Sequence, residues 1–213
     1  MVIFTITDFI SKRFKGVATL MPEELSLIEK TTLLKIARNA IASFSENKKL
    51  AQINLDELTP ALQAFGASFV TLTIHGALRG CIGTLKAYQP LALDVEEHAI
   101  AAAFQDYRFP PLTHVEIPNL NIEISRLTQP EPLKYENYLD LKNRLRPGID
   151  GVVLSDGYRS ATFLPQVWEK LPDPVDFLSQ LCLKMGAAPT LWQKRHLEVK
   201  TYQVEEFQEE LGN

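Results

Sequence analysis

"SFVTLTIHGALRGCIGTL", residues 68–85, is the stretch whose reading decides the fold. β-branched and apolar residues flank His75-Gly76, a residue–glycine pair suited to a tight hairpin turn. Two antiparallel strands are therefore predicted here. Alternation puts Ala77, Arg79, Cys81 and Gly83 on one side of the second strand. A two-residue loop at His75-Gly76 sets Cys81 opposite Val70 and Arg79 opposite Leu72. A three-residue loop makes Phe69, Thr71 and Thr73 the partners instead. One residue of register exchanges the faces, and the sequence leaves both registers open.

Upstream, Leu25, Ile28, Leu33, Ile36, Ala37, Ala40, Ile41 and Phe44 recur at helical spacing. They predict a long amphipathic helix from about 22 to 45. Pro22 suits its first turn, and Glu23 and Glu24 suit its positive end. A short helix near 56–65 follows. Downstream, the Ala-rich "PLALDVEEHAIAAAFQ" (90–105) predicts a helix that can lie close to a sheet. It is stopped by "DYRFPP", where Pro110 and Pro111 forbid continuation. "NLNIEISRL" (119–127) alternates as a half-buried strand, with Leu120, Ile122 and Ile124 inward and Asn121, Glu123 and Ser125 on the other face. "YENYLDLKNRL" predicts a helix through Tyr138, Leu141 and Leu145.

A second hairpin, "GVVLSDGYRSATFL" (151–164), is expected to turn on Asp156-Gly157. In "PDPVDFLSQLCLKMG", Asp173 is a good N-cap, Pro174 a good first residue and Gly186 a good stop. "HLEVKTYQVEEF" (196–207) reads as one closing strand. Helices and hairpins alternate without a βαβ repeat. The predicted class is α+β, an antiparallel or mixed sheet built from hairpins packed with helices.

The 213 residues are 46% hydrophobic and 23% charged, with a net charge of −4, enough apolar sequence for a sizeable core. The acidic balance argues against a nucleic-acid partner, because phosphate neutralisation needs clustered Lys and Arg. No apolar run reaches membrane-spanning length. Two cysteines make no disulfide framework, which points to a reducing, cytoplasmic setting. In residues 1–20 apolar residues precede basic ones, the wrong order for a secretory signal. That segment reads as an N-terminal extension or an over-long start.

Phosphate-loop, nucleophile-elbow, H-E-x-x-H and C-x-x-C motifs are absent from the sequence, and its four histidines have no local metal-ligand spacing. No cofactor or metal is expected. Cys81 is the sharpest candidate, since a thiolate is a nucleophile and a cation beside it favours the anion. It equally reads as a small buried hydrophobe. Arg79 is either a fork for a carboxylate or phosphate, or half of a structural ion pair. Gly80 and Gly83 admit a substrate or another backbone. Asp106 and Arg108 pair with each other or line a pocket with Arg79. Glu123 stands on a solvated face or a cleft wall. His98 serves Cys81 as a base only if its helix packs over the hairpin. Cys182, among Phe177, Leu178 and Leu181, reads as core.

Taken in order, "FVTLTIHGALRGCIGTL", "AAAFQDYRFPPL", "LNIEISRLTQPEPL", "PGIDGVVLSDGYRSATFLPQV" and "FLSQLCLKMG" resemble the AMMECR-domain family. The L-R-G-C-I-G run at 78–83 is that family's signature. The resemblance implies a domain over about 21–207, with 208–213 as a C-terminal tail. It also implies two unequal lobes, the larger holding both termini, and a functional centre at the hexapeptide. The AmmeMemoRadiSam system to which prokaryotic members belong implies a Memo-type protein and a radical-SAM protein as partners. The resemblance supplies no reaction. Two functions follow from it: a binding or accessory component that takes a small anionic ligand, or a cysteine-dependent enzyme using Cys81 with Arg79. One departure is Tyr107, where the family usually has proline in D-P-R-F.

Overall fold

The computed structural model describes residues 24–209. The expected helix opening at Pro22 and Glu23, the extension at 1–20 and residues 210–213 of the tail lie outside the described residues. The first helix, α1, runs Leu27–Ser45. Its start is fixed by a capping box at Ser26. The Ser26 hydroxyl accepts from the Glu29 amide, and the Glu29 carboxylate accepts from the Ser26 amide at 2.7 Å. Two otherwise orphaned donors are thereby satisfied, and Glu24 and Leu25 precede the helix. Leu33, Ala37, Ala40 and Ile41 are buried as the spacing predicts, while Ile28 and Phe44 are exposed. The predicted helix at 56–65 resolves into a 3-10 turn, Leu55–Glu57, and a single α-turn, α2, Pro60–Gln63.

Two antiparallel sheets follow. The first contains β1 (Phe65–Ile74), β2 (Ala77–Gly83), β4 (Leu120–Leu127) and β9 (Val204–Gln208), ordered β2-β1-β4-β9; β3 (Gln89–Pro90) pairs with the start of β1. Helix α3 (Leu91–Phe104) and α1 cover one face. There Val70, Leu72, Ile122 and Ile124 meet Leu33, Ala37, Ile41, Ala99 and Ala102 in one core. The alanines bring α3 down onto the sheet. A Cβ on Gly80 would sit 2.1 Å from the Ala102 carbonyl oxygen, so no other residue fits there.

The second sheet is ordered β5-β8-β6-β7, from β5 (Glu131–Pro132), β6 (Gly151–Ser155), β7 (Ser160–Phe163) and β8 (Glu198–Tyr202). It packs with α4 (Tyr138–Arg144), α5 (Pro174–Lys184) and α6 (Leu191–Lys194), the last not foreseen from the sequence. Their core holds Leu154, Phe177, Leu181, Cys182, Trp168 and Trp192, with Trp168 stacked on Phe177 at 3.6 Å. Helix α5 begins as expected, its Asp173 side chain accepting from the Val175 amide at 2.6 Å. Gly186 ends the run at φ +76°.

Two expectations require correction. The second hairpin pairs Ser155 with Ser160, and the Asp156 amide bonds the Arg159 carbonyl. Its turn therefore centres on Gly157-Tyr158, with Gly157 at φ +93°, and not on Asp156-Gly157. Asp156 instead accepts the Tyr158 and Arg159 amides, a role an aspartate at the first turn position fills well. The single closing strand is two strands in different sheets, β8 and β9, divided at Gln203. The outgoing chain crosses at Thr128, and the two crossings bond each other. The Thr128 amide donates to the Gln203 carbonyl at 2.9 Å, and the Gln203 amide donates to the Thr128 hydroxyl at 2.8 Å.

Residues 131–202 thus form a smaller lobe inserted between β4 and β9 of the larger one. A small cluster of Ala67, Leu127 and Tyr202, with Phe69, Leu85, Val153 and Leu164 around it, joins them. It seats the smaller lobe on the side of the first sheet away from α1 and α3. Among the described residues no helix is long and apolar enough to cross a membrane.

Candidate functional site

The first hairpin turns on two residues, His75 at φ 50° and Gly76 at φ 78°, with Ile74 paired to Ala77. Both positive φ values suit a type I′ turn. Continued without interruption, that register would put Arg79 opposite Leu72, beneath α3. Instead the register shifts after Thr73–Leu78, so that Leu72 faces Gly80 and Thr71 faces Cys81. Arg79 is the extra residue of a β-bulge. The bulge places a glycine against the Ala102 carbonyl and releases a cation that would otherwise be buried without a partner. Neither register drawn from the sequence is realised unaltered. Ala77, Arg79, Cys81 and Gly83 do not share one face.

Arg79 turns to the 110–116 segment. Its Nε donates to Glu116 Oε1 at 2.7 Å, and its other nitrogens donate to Glu116 Oε2 and to the Pro110 and Pro111 carbonyls. The guanidinium beside it, helped by the Thr113 hydroxyl, pulls the Glu116 carboxyl down to about 2. Arg79 is therefore half of a structural ion pair with its donor fork already occupied. Gly83 has a similar character, since a Cβ there would lie 2.3 Å from the Ser68 carbonyl oxygen. At Gly80 and Gly83 alike, the neighbour that needs the space is this chain's own backbone.

Asp106 and Arg108 do come to Cys81. β2 is an edge strand, and the Cys81 amide and carbonyl point away from β1. The Cys81 amide donates to Asp106 Oδ2 at 2.9 Å, and its carbonyl accepts from Arg108 Nη2 at 3.0 Å. Arg108 Nε and Nη2 hold Asp106 at 2.9 and 2.6 Å. This pair covers the strand edge as a neighbouring strand would. The Arg108 guanidinium, together with the Cys81 amide, holds the buried Asp106 carboxyl well below the usual carboxylate range. Tyr107 is exposed, and Asp106 holds the turn, its carboxylate accepting the Arg108 amide at 3.2 Å and its carbonyl the Phe109 amide at 3.0 Å. Arg108 is itself exposed, and among the described residues its Nη1 makes no hydrogen bond.

The Cys81 side chain lies on the face opposite α3, half-buried and outside every apolar cluster. The Thr71 hydroxyl donates to its Sγ at 3.3 Å. From the smaller lobe comes Lys184, which sequence reading did not single out because it stands at the end of a helix in another lobe. Its Nζ donates to the Thr162 carbonyl at 2.8 Å and lies 5.1 Å from the Phe163 ring. Removal from water and the Arg108 charge push this ammonium down, while Cys81 opposes them. Cations from both lobes thus stand within electrostatic reach of the thiol. Cys182 is wholly buried, as expected, and burial pushes its thiol up.

Glu123 shares the Cys81 face, directly opposite Thr71. Removal from water, then a hydrogen bond to Glu206 and the Glu206 charge, raise its carboxyl to about 7. His98 does not join them. It bonds Asp94 at 3.2 Å, and Asp94 bonds Ser68 at 2.6 Å, all within the core on the opposite face. Among the described residues no group of three or more His, Cys, Asp or Glu is disposed to hold a metal. A cavity of about 1020 Å³ opens elsewhere, between α1 and the hairpin tip, lined by Lys35, Arg38, His75 and Phe207.

Residues 34–207 match the family model described as AMMECR1. The chain belongs to the AMMECR1 family. A protein of Methanothermobacter thermautotrophicus is 36% identical over 187 residues, spanning 87% of this chain and 97% of its own. One from Sulfurisphaera tokodaii is 39% identical over 189 residues, spanning 84% and 81%. The crystal structure of uncharacterized protein PH0010 from Pyrococcus horikoshii is similar, with a TM-score of 0.77, 33% identity and coverage of 84% of this chain and 90% of that one. Membership fixes the family and the α+β class; the activity has to be argued from the site.

Proposed function

We propose that this AMMECR1-family protein is a binding or accessory component. In this reading it holds a small anionic ligand beside Cys81 and acts with a Memo-type protein and a radical-SAM protein through the Leu78–Gly83 hairpin. The observation that carries the reading is the charge around the thiol. Exposed Arg108 has donors to spare, and Lys184 approaches from the other lobe. A carboxylate or phosphate beside the thiol would find the Arg108 guanidinium and, from the other lobe, the Lys184 ammonium, and a bond to either would be charge-assisted. Arg79, bound to Glu116, is left out of the ligand set. The partners come from the family resemblance alone.

Two alkylating reagents test the ligand class. Anionic iodoacetate should label Cys81 faster, relative to neutral iodoacetamide, than it labels free cysteine. R108Q and K184Q should each lower that ratio several-fold. A ratio equal to that of free cysteine would sink the anion site. Failure of both partner proteins to co-purify with the tagged chain would sink the accessory role.

A second reading is favoured by one contact, the Thr71 hydroxyl donating to the Cys81 sulfur. A donor at that position stabilises sulfur's negative charge, as a nucleophile or redox thiol requires.

A further inference from the structure

The face of the first sheet that carries Cys81 presents a row of side chains in register. Cys81 on β2 stands opposite Thr71 on β1, Thr71 opposite Glu123 on β4, and Glu123 opposite Gln208 on β9. The next row runs Gly83, Phe69, Ser125, Glu206. Directly opposed side chains on one face have Cβ atoms about 4.5–5.5 Å apart. The Thr71 side chain therefore stands between those of Cys81 and Glu123 in the row, and its hydroxyl bonds the sulfur at 3.3 Å.

Glu123 is surrounded by polar groups from every element packed against it. Asn121 and Ser125 lie on its own strand, Thr71 on β1, and Glu206 and Gln208 on β9. From the smaller lobe, Gln166 Nε2 donates to Glu206 Oε1 at 2.8 Å and to Ser125 Oγ at 3.4 Å. Gln166 Oε1 is buried with no protein partner among the described residues. Glu206 stands one row along from Glu123 on the neighbouring strand, and its charge disfavours a second ionised carboxyl beside it.

We propose that Glu123 exchanges a proton with the Cys81 thiol through the Thr71 hydroxyl, and that Glu206 positions Glu123 for this. The inference rests on the second reading of the site, in which the thiol itself works. The step balances without another reactant. The S–H bond breaks and its proton joins Thr71 Oγ1; the original hydroxyl proton passes to a Glu123 carboxylate oxygen. The hydroxyl is regenerated, and the negative charge has moved from carboxylate to sulfur. In that final state the hydroxyl donates to sulfur, a direction the 3.3 Å Thr71–Cys81 contact allows. Arg108, whose Nη2 bonds the Cys81 carbonyl, and Lys184, whose Nζ bonds the Thr162 carbonyl, are the positive charges that offset what sulfur has gained.

The test is the iodoacetamide labelling rate of Cys81 against pH, read by mass spectrometry in the full chain. Buried Cys182 reports whether each variant stays folded. Coupled groups titrate in more than one step, so wild type should climb in two. E123Q and T71V should each lose the lower step, labelling Cys81 at least about tenfold more slowly at pH 7 and within about twofold of wild type at pH 9.5. E206Q should keep both steps with the lower one moved to lower pH. A wild-type profile shared by E123Q, or faster labelling of E123Q at pH 7, overturns the relay and leaves the anion site standing. A Cys81 that stays unlabelled until denaturant is added overturns the relay and the working-thiol reading together.

Discussion

At the scale of single residues, Arg79 shows how a conspicuous cation is explained by its neighbours. Its side chain is mostly buried against Glu116 and two proline carbonyls. R79A strips Glu116 of its main partner and should cost about 1–2 kcal/mol, read by chemical denaturation at pH 7. Glu116 has a depressed pKa, so the stability it contributes is present above the unfolded value of 4.5 and lost as pH falls towards 2. The stability gap between wild type and E116Q should therefore close across that window. Glu123 has the opposite sign. Its folded-state pKa is raised, so its contribution is complete below 4.5 and is lost as pH rises through about 7. E123Q should flatten the fall in stability between those limits and match or exceed wild type at pH 8. A steeper fall in E123Q would contradict that sign.

At the scale of elements, β2 is held by what lies above it and beside it. G80A would drive a Cβ into the Ala102 carbonyl and lift the strand from α3, at a cost of about 2 kcal/mol or more. Thermal melting of G80A against wild type checks this. Asp106 acts at the free edge. D106A removes the acceptor for the Cys81 amide and the partner of Arg108. Hydrogen exchange at the Cys81 amide should then quicken at least about tenfold while the amides of β4 keep their protection. Equal protection in wild type and D106A would mean that the edge needs no cover. Much of this was legible beforehand. Helix α3, which ends at Phe104 before the prolines are reached, α5 with its cap and the pairing of β1 with β2 follow from periodicity and turn chemistry. The bulge at Arg79 was not legible, because its cause is a glycine meeting a helix some twenty residues on. The turn at Gly157-Tyr158 is shifted by one residue because Asp156 caps two amides in place of occupying the turn's centre.

At the scale of the whole molecule, the consequential feature is the strand switch at Gln203. It makes the smaller lobe an insertion tied to the larger one by two crossings and the contacts around Tyr202. Tyr202 is buried, its ring lies over Gly151, and its hydroxyl bonds the Phe163 carbonyl at 3.1 Å. Y202A should cost about 3–5 kcal/mol and loosen the coupling between lobes. Trp168 and Trp192 both lie in the smaller lobe, so tryptophan fluorescence follows that lobe alone, whereas far-ultraviolet circular dichroism follows both. The two signals should coincide in wild type and separate in Y202A. Coincident transitions in Y202A would mean that the lobes are coupled through other contacts.

By itself the sequence determined the class, most of the elements, the family resemblance and the neighbourhood of Cys81. Those depend on local periodicity, capping and turn residues, whose interactions span a few positions. Tertiary structure alone decided the face of each side chain on β2, the division of the last strand between two sheets, and the company the thiol keeps. Thr71, Glu123, Glu206 and Lys184 come from four separate elements and Arg108 from a loop. Strand register, a bulge and the seating of one lobe on another bring them together, and each is settled by contacts between residues far apart in the chain.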